Sequence, residues 1–377
     1  MKLKDLVPSL DMVFKKNLAL PDDPAGLQAG KADREIKSAL VTLDITRDVV
    51  QEAVDLKTGL IISHHPLIFN PVFKITDDSA KTSALLELIE NKIAIYCAHT
   101  NLDAMTGGLN DLVAVNLGLS DIKIIDDLKR QWFKFTVFVP VEAEAVTREV
   151  ICANGGGSYA NYSCCTFNTP GTGTFLPQNG AKPYIGQKGK LEFVKEVRIE
   201  CVVESDNLSS LVSAVIAAHP YEEPAYDVIR LENSPEGAGI GRIGNIYPPV
   251  TPAELMERIK KVFGIKNLRW LSENSPGTPD RKIGKIAVIN GSANSLTGRL
   301  SVADMDLDAV IAGELKYSNA REIAESGKVY IEIGHGESEK IAIDLLYKLA
   351  GRAVKMEKDF KLYRTKTGFL PWRYYIE

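Results

Sequence analysis

Apolar residues along this chain fall into two rhythms. Leu3, Leu6, Val7, Leu10, Val13 and Phe14 recur at helical spacing and predict an opening helix. Three apolar runs follow, Ala39–Asp44, Leu60–Ser63 and Ile93–Ala98, each short enough for a buried strand. Between and after them lie amphipathic stretches. Val49, Val50 and Ala53 follow a capping Thr46, then come Leu85, Leu86, Leu88 and Ile89, then Leu109, Leu112, Val113 and Leu117, stopped by Gly118. Strands alternating with helices predict an α/β layer with largely parallel strands.

The last third repeats this grammar. Lys285–Ile289, Ala309–Ala312 and Val329–Ile333 read as strands, and Ile341, Leu345, Leu346 and Leu349 mark the helix after them. Two similar βαβαβα-type lobes are expected, 1–128 and 246–377, packed on each other as a discontinuous α/β core. The interval 129–245 reads differently. Phe133, Phe135, Val137 and Val139 alternate with other residues as in a half-buried strand. A helix with Val146, Val150 and Ile151, a strand Ile199–Val203, a helix Leu208–Ala218 and a strand Val228–Leu231 follow. That is a small inserted α+β domain of the ferredoxin-like kind, with glycine-rich segments inside and after it at Gly155–Gly157, Gly171–Gly173 and Gly237–Gly244. Thr251, Pro252 and Glu254 then announce a new helix through a capping box.

Composition narrows the partners. Lys and Arg number 45 against 49 Asp and Glu, a balance that argues against a broad nucleic-acid platform. No run of about 18 apolar residues is present, so no membrane-spanning helix is expected. The five cysteines are odd in number and have neither zinc-finger nor CxxC spacing, which predicts reduced thiols and a cytoplasmic setting. Gly239–Gly244 fits GxGxxG literally, but Tyr247-Pro248-Pro249 stands where the helix should begin, so it reads as a return linker.

The chemistry concentrates in the histidines. Four of the five, His64, His65, His99 and His335, stand where predicted strands end, the place where open α/β sheets bind ligands. Carboxylates accompany them: Asp103 four residues after His99, and Glu339 four residues after His335. Imidazole with carboxylate is a metal-ligand set. Adjacent strand residues point to opposite faces, so His64 and His65 would serve different ions unless the chain turns there. Asp103 or Glu339 could supply a bridging carboxylate, and two ions about 3.5–4 Å apart would make a hydrolase centre. Asp44 and Glu314 also end strands, as capping groups, as groups orienting the ligands, or as acid/base candidates.

At these motifs the sequence resembles the Nif-three-like family, commonly named GTP cyclohydrolase I type 2. The resemblance rests on Ser63-His64-His65-Pro66, on His99-Thr100-Asn101-Leu102-Asp103, on Gly313-Glu314 and on Gly334-His335 with Glu339. Gly26–Gly30 and Leu43–Thr46 add to it. It implies a dinuclear site between two α/β lobes with ligands His64, His65, Asp103, His335 and Glu339, and with His99 as a ligand or a neighbouring group. It implies two divalent ions per chain, zinc foremost, with manganese, iron or cobalt also compatible. Longer members carry an insert resembling PII and cation-tolerance proteins, marked here by His219–Asp227, where His219 is either a loop-forming residue or a further metal contact. The resemblance further implies a toroidal homohexamer and hydrolysis of GTP to dihydroneopterin triphosphate and formate. A two-metal phosphoesterase and a metal-binding regulatory or scaffold protein without turnover are the alternatives. Pro21-Asp22-Asp23-Pro24-Ala25 replaces the family's usual Trp-Asp-Asn, and Gly291-Ser292-Ala293 its Gly-Ser-Gly.

Overall fold

Strand Leu60–Ser63 is buried at every position because it lies between two parallel neighbours, Ser38–Thr42 and Ala94–Cys97. Such strands are covered on both faces and read as continuous apolar runs. The computed structural model describes residues 1–128, 131–159, 162–232, 238–272, 282–301 and 305–367. The chain divides into two compact units, one of residues 1–128 with 237–377, the other of residues 129–236.

The first unit contains two sheets. One has the strand order Gly26–Ala29, Ala94–Cys97, Leu60–Ser63, Ser38–Thr42, Lys361–Arg364, parallel except for the antiparallel Gly26–Ala29 edge. The other has the order Arg269–Leu271, Val329–Glu332, Ala309–Glu314, Ile283–Ser292, Gly239–Val250, Ser120–Asp127, with a parallel centre and antiparallel flanks. The lobes exchange strands. Lys361–Arg364, from the end of the chain, joins the sheet of the first lobe, and Ser120–Asp127 joins the sheet of the second. Helices cross over as well: Leu3, Leu6 and Leu10 share a core with Ala342, Leu346 and Leu349. Each fully buried leucine contributes about 1.5–3 kcal/mol.

Two sequence expectations are corrected here. Gly239–Gly244 is no linker, and the insert does not run to residue 245. Residues 239–250 form a strand between Ser120–Asp127 and Ile283–Ser292, with Arg242 opposite Val288 and Ile243 opposite Ala287. The buried Arg242 guanidinium ion-pairs with Asp111 and donates to the carbonyls of Gly239 and Gly241 at 2.7 and 3.0 Å. A glycine-rich segment carries little strand propensity of its own, and two flanking strands supply the pairing that fixes it.

The second unit is a βαββαβ sheet in the order Thr166–Phe175, Glu192–Glu204, Trp132–Pro140, Tyr226–Arg230, antiparallel throughout. This is the ferredoxin-like arrangement. Helices Glu144–Ala153 and Ser205–Ala218 contribute Ile151, Leu211 and Val215 to a core with Phe135, Val137, Val139 and Ile199. Gly171–Gly173 belongs to the edge strand Thr166–Phe175. Cys152 and Cys164 form a disulfide, against the expectation of uniformly reduced thiols, because the turn after helix Glu144–Ala153 brings residues 12 apart in sequence to a Cα separation of 4.9 Å. Cys97, Cys165 and Cys201 are free. The capping box is present, with Glu254 N–H donating to Thr251 Oγ1 at 3.2 Å and Thr251 N–H to Glu254 Oε2 at 2.7 Å. Among the described residues no helix is long and apolar enough to cross a membrane.

Candidate metal centre

Strand Leu60–Ser63 stops where Ser63 Oγ donates to the carbonyl of His65 at 2.8 Å. The chain turns there, so the alternation of a regular strand no longer governs the next two side chains. His64 and His65 therefore converge, with ring centroids 5.1 Å apart. The strands Ala94–Cys97 and Val329–Glu332 end nearby, one leading to His99 and the helix Thr100–Ala104, the other to the helix His335–Glu339.

Glu339 is the shared carboxylate. Its Oε1 lies 3.6 Å from His64 Nε2, and its Oε2 lies 2.8 Å from His65 Nε2 and 3.2 Å from His335 Nε2. Asp103 Oδ2 approaches His64 Nε2 at 3.8 Å. Donor atoms of His64, His65 and Glu339 all lie within 4.8 Å of one another, close enough to hold one ion. His64 Nε2, His65 Nε2 and Glu339 Oε2 are buried without a hydrogen-bond partner, although two of them sit 2.8 Å apart. Their contacts are close but poorly aligned as hydrogen bonds, and buried imidazole nitrogens gathered around one carboxylate fit a cation. Asp103 and His335 each stand beside one member of this trio.

Each imidazole is held from behind. His64 Nδ1 donates to the carbonyl of Ala98 at 2.8 Å, and His65 Nδ1 to Asp44 Oδ1 at 2.7 Å. His335 Nδ1 lies 3.2 Å from Glu314 Oε1. With Nδ1 carrying the proton, the neutral ring offers its Nε2 lone pair to a metal. Asp44 and Glu314 are thus orienting groups. His99 does not join the trio. Its Nδ1 binds Asp23 Oδ1 at 2.8 Å, and its ring stands 5.5 Å from that of His64.

The charges are strongly coupled. Burial opposes protonation of His65, but Asp44 and Glu339 outweigh it and raise its pKa to about 10. Glu339, against the penalty of burial, raises that of His335 to about 9. Burial works against protonation of His64 too, and Glu339 and Asp103 overcome it. Burial pushes Asp103 up to about 6, and would push Glu339 up as well, but three imidazoles hold Glu339 well below the usual carboxylate range. A cation replacing these protons would meet the same negative charge.

Gly291 makes room for the shared carboxylate. It sits at φ +64°, and a Cβ there would come 2.3 Å from Glu339 Oε1 and 3.5 Å from His335 Nε2. Three polar residues escaped the sequence reading. Asp23 orients His99 and accepts from Thr100 N–H at 3.1 Å. Asn110 Nδ2 donates to the carbonyl of Asp103 at 3.0 Å, and Asn290 Nδ2 to Asp103 Oδ1 at 3.3 Å. Asn110 carried a signal, since it stands on the buried stripe with Val113, Ala114 and Leu117, where a polar residue needs partners. Beside Asp44 and His65 lies a cavity of about 830 Å³, lined also by Arg47, Ser79 and Lys81.

Residues 1–367 match the Duf34/NIF3 (NGG1p interacting factor 3) family. A protein of Halalkalibacterium halodurans named GTP cyclohydrolase 1 type 2 homolog is 37% identical over 321 residues, covering 85% of this chain and 84% of the relative. Its namesake in Bacillus subtilis is 34% identical over 337 residues, covering 88% and 87%. Among solved structures, a Bacillus cereus protein related to NIF3 superposes with a TM-score of 0.78 at 33% identity, covering 100% of this chain and 99% of that one. A Staphylococcus aureus protein gives a TM-score of 0.75 at 26% identity, with the same coverage. The fold, the strand-end histidines and these likenesses agree: the chain belongs to the NIF3 (DUF34) family.

Proposed function

We propose that this chain is a hydrolase working with two divalent ions and that GTP is its substrate. The observation that carries the reading is the convergence of donor atoms of His64, His65 and Glu339 within 4.8 Å of one another, with both imidazole Nε2 atoms buried and facing the carboxylate. Asp103 and His335 flank that trio and would complete a second position, with Glu339 common to both. Bound there, divalent ions would act as Lewis acids and bring the pKa of water into the neutral range.

The chain's own residues do the rest. Ala98, Asp44 and Glu314 hold three imidazoles at Nδ1 so that Nε2 faces Glu339. Asp44 and Glu314 are part-exposed carboxylates in contact with those rings and are the groups suited to pass a proton between the site and solvent. Arg47 and Lys81, at the first turns of helices Arg47–Asp55 and Ala80–Glu90, line the cavity beside His65 together with Asp44, Asp77, Asp78 and Glu87, so these two side chains are the groups there that could meet the phosphates of a nucleotide within an otherwise acidic wall. The printed names of the relatives support GTP in particular. The resemblance also supports a homohexamer.

The test is a panel of nucleotides offered to metal-loaded protein, with formate and phosphate release followed separately. Formate from GTP, lost in His64→Ala, is the expected result. Phosphate without formate would reassign the chain to phosphoesterases. Release of neither product from any nucleotide, with full metal content, would favour a metal-binding protein without turnover.

A further inference from the structure

The insert contains a cavity of its own, about 750 Å³, with Phe138, Phe175, Tyr184, Tyr221 and Glu196 on its walls. That volume falls within the range of about 300–1,000 Å³ usual for small-ligand pockets. Tyr221 is its centre. The ring stands 6.1 Å from that of Phe175 and 6.2 Å from that of Tyr184, tilted by 57° and 49°.

Glu196 is the unusual member. It is only 9% exposed, and its Oε1 accepts from the Tyr221 hydroxyl at 2.9 Å. Its Oε2 is turned toward Gly173, where a Cβ would come within 2.1 Å, so glycine leaves space for the carboxylate. Among the described residues, no Lys, Arg or His forms an ion pair with Glu196. His219, nearby, cannot serve as its counter-ion without breaking a bond. Its Nδ1 accepts from Tyr221 N–H at 3.0 Å, so Nε2 holds the proton and donates to the carbonyl of Phe138 at 3.0 Å. Those two bonds also occupy both ring nitrogens, which leaves His219 no lone pair for a metal.

A largely buried carboxylate with one neutral donor on Oε1 leaves its second oxygen available to a cation entering the cavity. Aromatic faces add further negative potential and favour a positive group lying over them. A bare divalent ion would ask for six or more oxygen ligands, as about 6–8 are usual for calcium. The lining offers carboxylates at Glu196, Glu222 and Glu223, of which Glu222 Oε1 already accepts from Lys182 N–H at 2.7 Å, short of a full set of protein oxygens for such an ion. We propose that this cavity binds an organic cation, an ammonium or guanidinium group on a short aliphatic stem, with Glu196 as counter-ion and Tyr221, Tyr184 and Phe175 as walls.

Calorimetric titration of the full-length chain with agmatine, putrescine and tetramethylammonium tests this, with 1,4-butanediol as the uncharged counterpart of putrescine. At least one cation should bind with a Kd below about 1 mM, weakened about tenfold or more in Glu196→Gln. Tyr184→Ala, at a ring 57% exposed, should weaken the same cation and carries the test should Glu196→Gln not fold. Absence of binding by every cation up to about 10 mM would overturn the proposal. So would undiminished binding in the folded variants, equal affinity for the diol, or displacement of the cation by an equal concentration of Mn²⁺.

Discussion

Asn290 N–H donates to Asn110 Oδ1 at 2.8 Å, joining the two halves of the core at a buried point beside Asp103. Asn110 also holds the carbonyl of Asp103, and Asn290 holds its carboxylate. Asn110→Ala removes two bonds at once and leaves a buried N–H unpaired, a loss of about 1–3 kcal/mol. Metal affinity should fall about 10–100-fold, as is typical when a group behind a ligand is lost. Thermal unfolding and chelator competition measure the two effects. Unchanged affinity in the folded variant would show that Asp103 needs no such support.

Glu339 touches three imidazoles, whereas Asp44 touches one. If the proposed pair of ions is held there, Glu339→Ala should abolish retention of both, while Asp44→Asn should weaken binding about 10–100-fold without lowering the maximum stoichiometry. Elemental analysis after dialysis separates these outcomes. Two ions retained in Glu339→Ala would remove Glu339 from the ligand set.

The insert should lose stability in mild acid through His219. Burial, the largest influence, lowers the pKa of its ring below the ordinary 6.5. The folded state therefore binds a proton less readily than the unfolded chain. Stability is complete above about pH 6.5 and declines as pH falls from there through the lower folded value. Chemical denaturation of the full-length chain carrying Trp270→Phe and Trp372→Phe, followed by the fluorescence of the insert's Trp132, measures the decline between pH 7 and pH 5, an interval of about two units. His219→Gln should flatten it. An equally steep decline in that variant would assign it to other groups.

The insert leaves and rejoins the core at one place, since Leu128 N–H donates to the carbonyl of Ala238 at 3.0 Å. Strands Ser120–Asp127 and Gly239–Val250 are an antiparallel pair, with Asp127 opposite Gly239. Replacing residues 129–236 by a short Gly/Ser turn should leave a folded core that still loads metal. Removing residues 130–243 instead cuts into the strand Gly239–Val250 and takes out the buried Arg242, and that variant should not fold. Circular dichroism and metal content on the pair decide it. An unfolded first variant would mean that the core depends on the insert.

The proposed homohexamer is checked by light scattering on the full-length chain at micromolar concentration. A mass six times that of the 41.3 kDa chain is expected, and a stable monomer would refute it.

Much of this protein could be read from its residues in order. Short apolar runs fixed the buried parallel strands, because a strand covered on both faces must be apolar throughout. Thr251, Pro252 and Glu254 marked a helix start that is local in its hydrogen bonds and so readable locally. The strand-end positions of His64, His65, His99 and His335 pointed to a site for the same reason, since strand ends are visible wherever an apolar run stops. Other features depended on distant partners. The strand Gly239–Val250 exists because two neighbours pair with it, and its own glycines and prolines argue against it. The exchange of Lys361–Arg364 and Ser120–Asp127 between sheets is a matter of pairing that no local pattern encodes. The turn after Ser63 decided that His64 and His65 converge, a result opposite to that of a regular strand. Asp23, Asn110 and Asn290 became part of the site only when residues as far as 187 apart were brought within hydrogen-bonding reach. Local sequence determines which elements form and which side chains stand at their ends. Tertiary packing alone decides which of those ends meet, because the energy that holds them comes from groups far away along the chain.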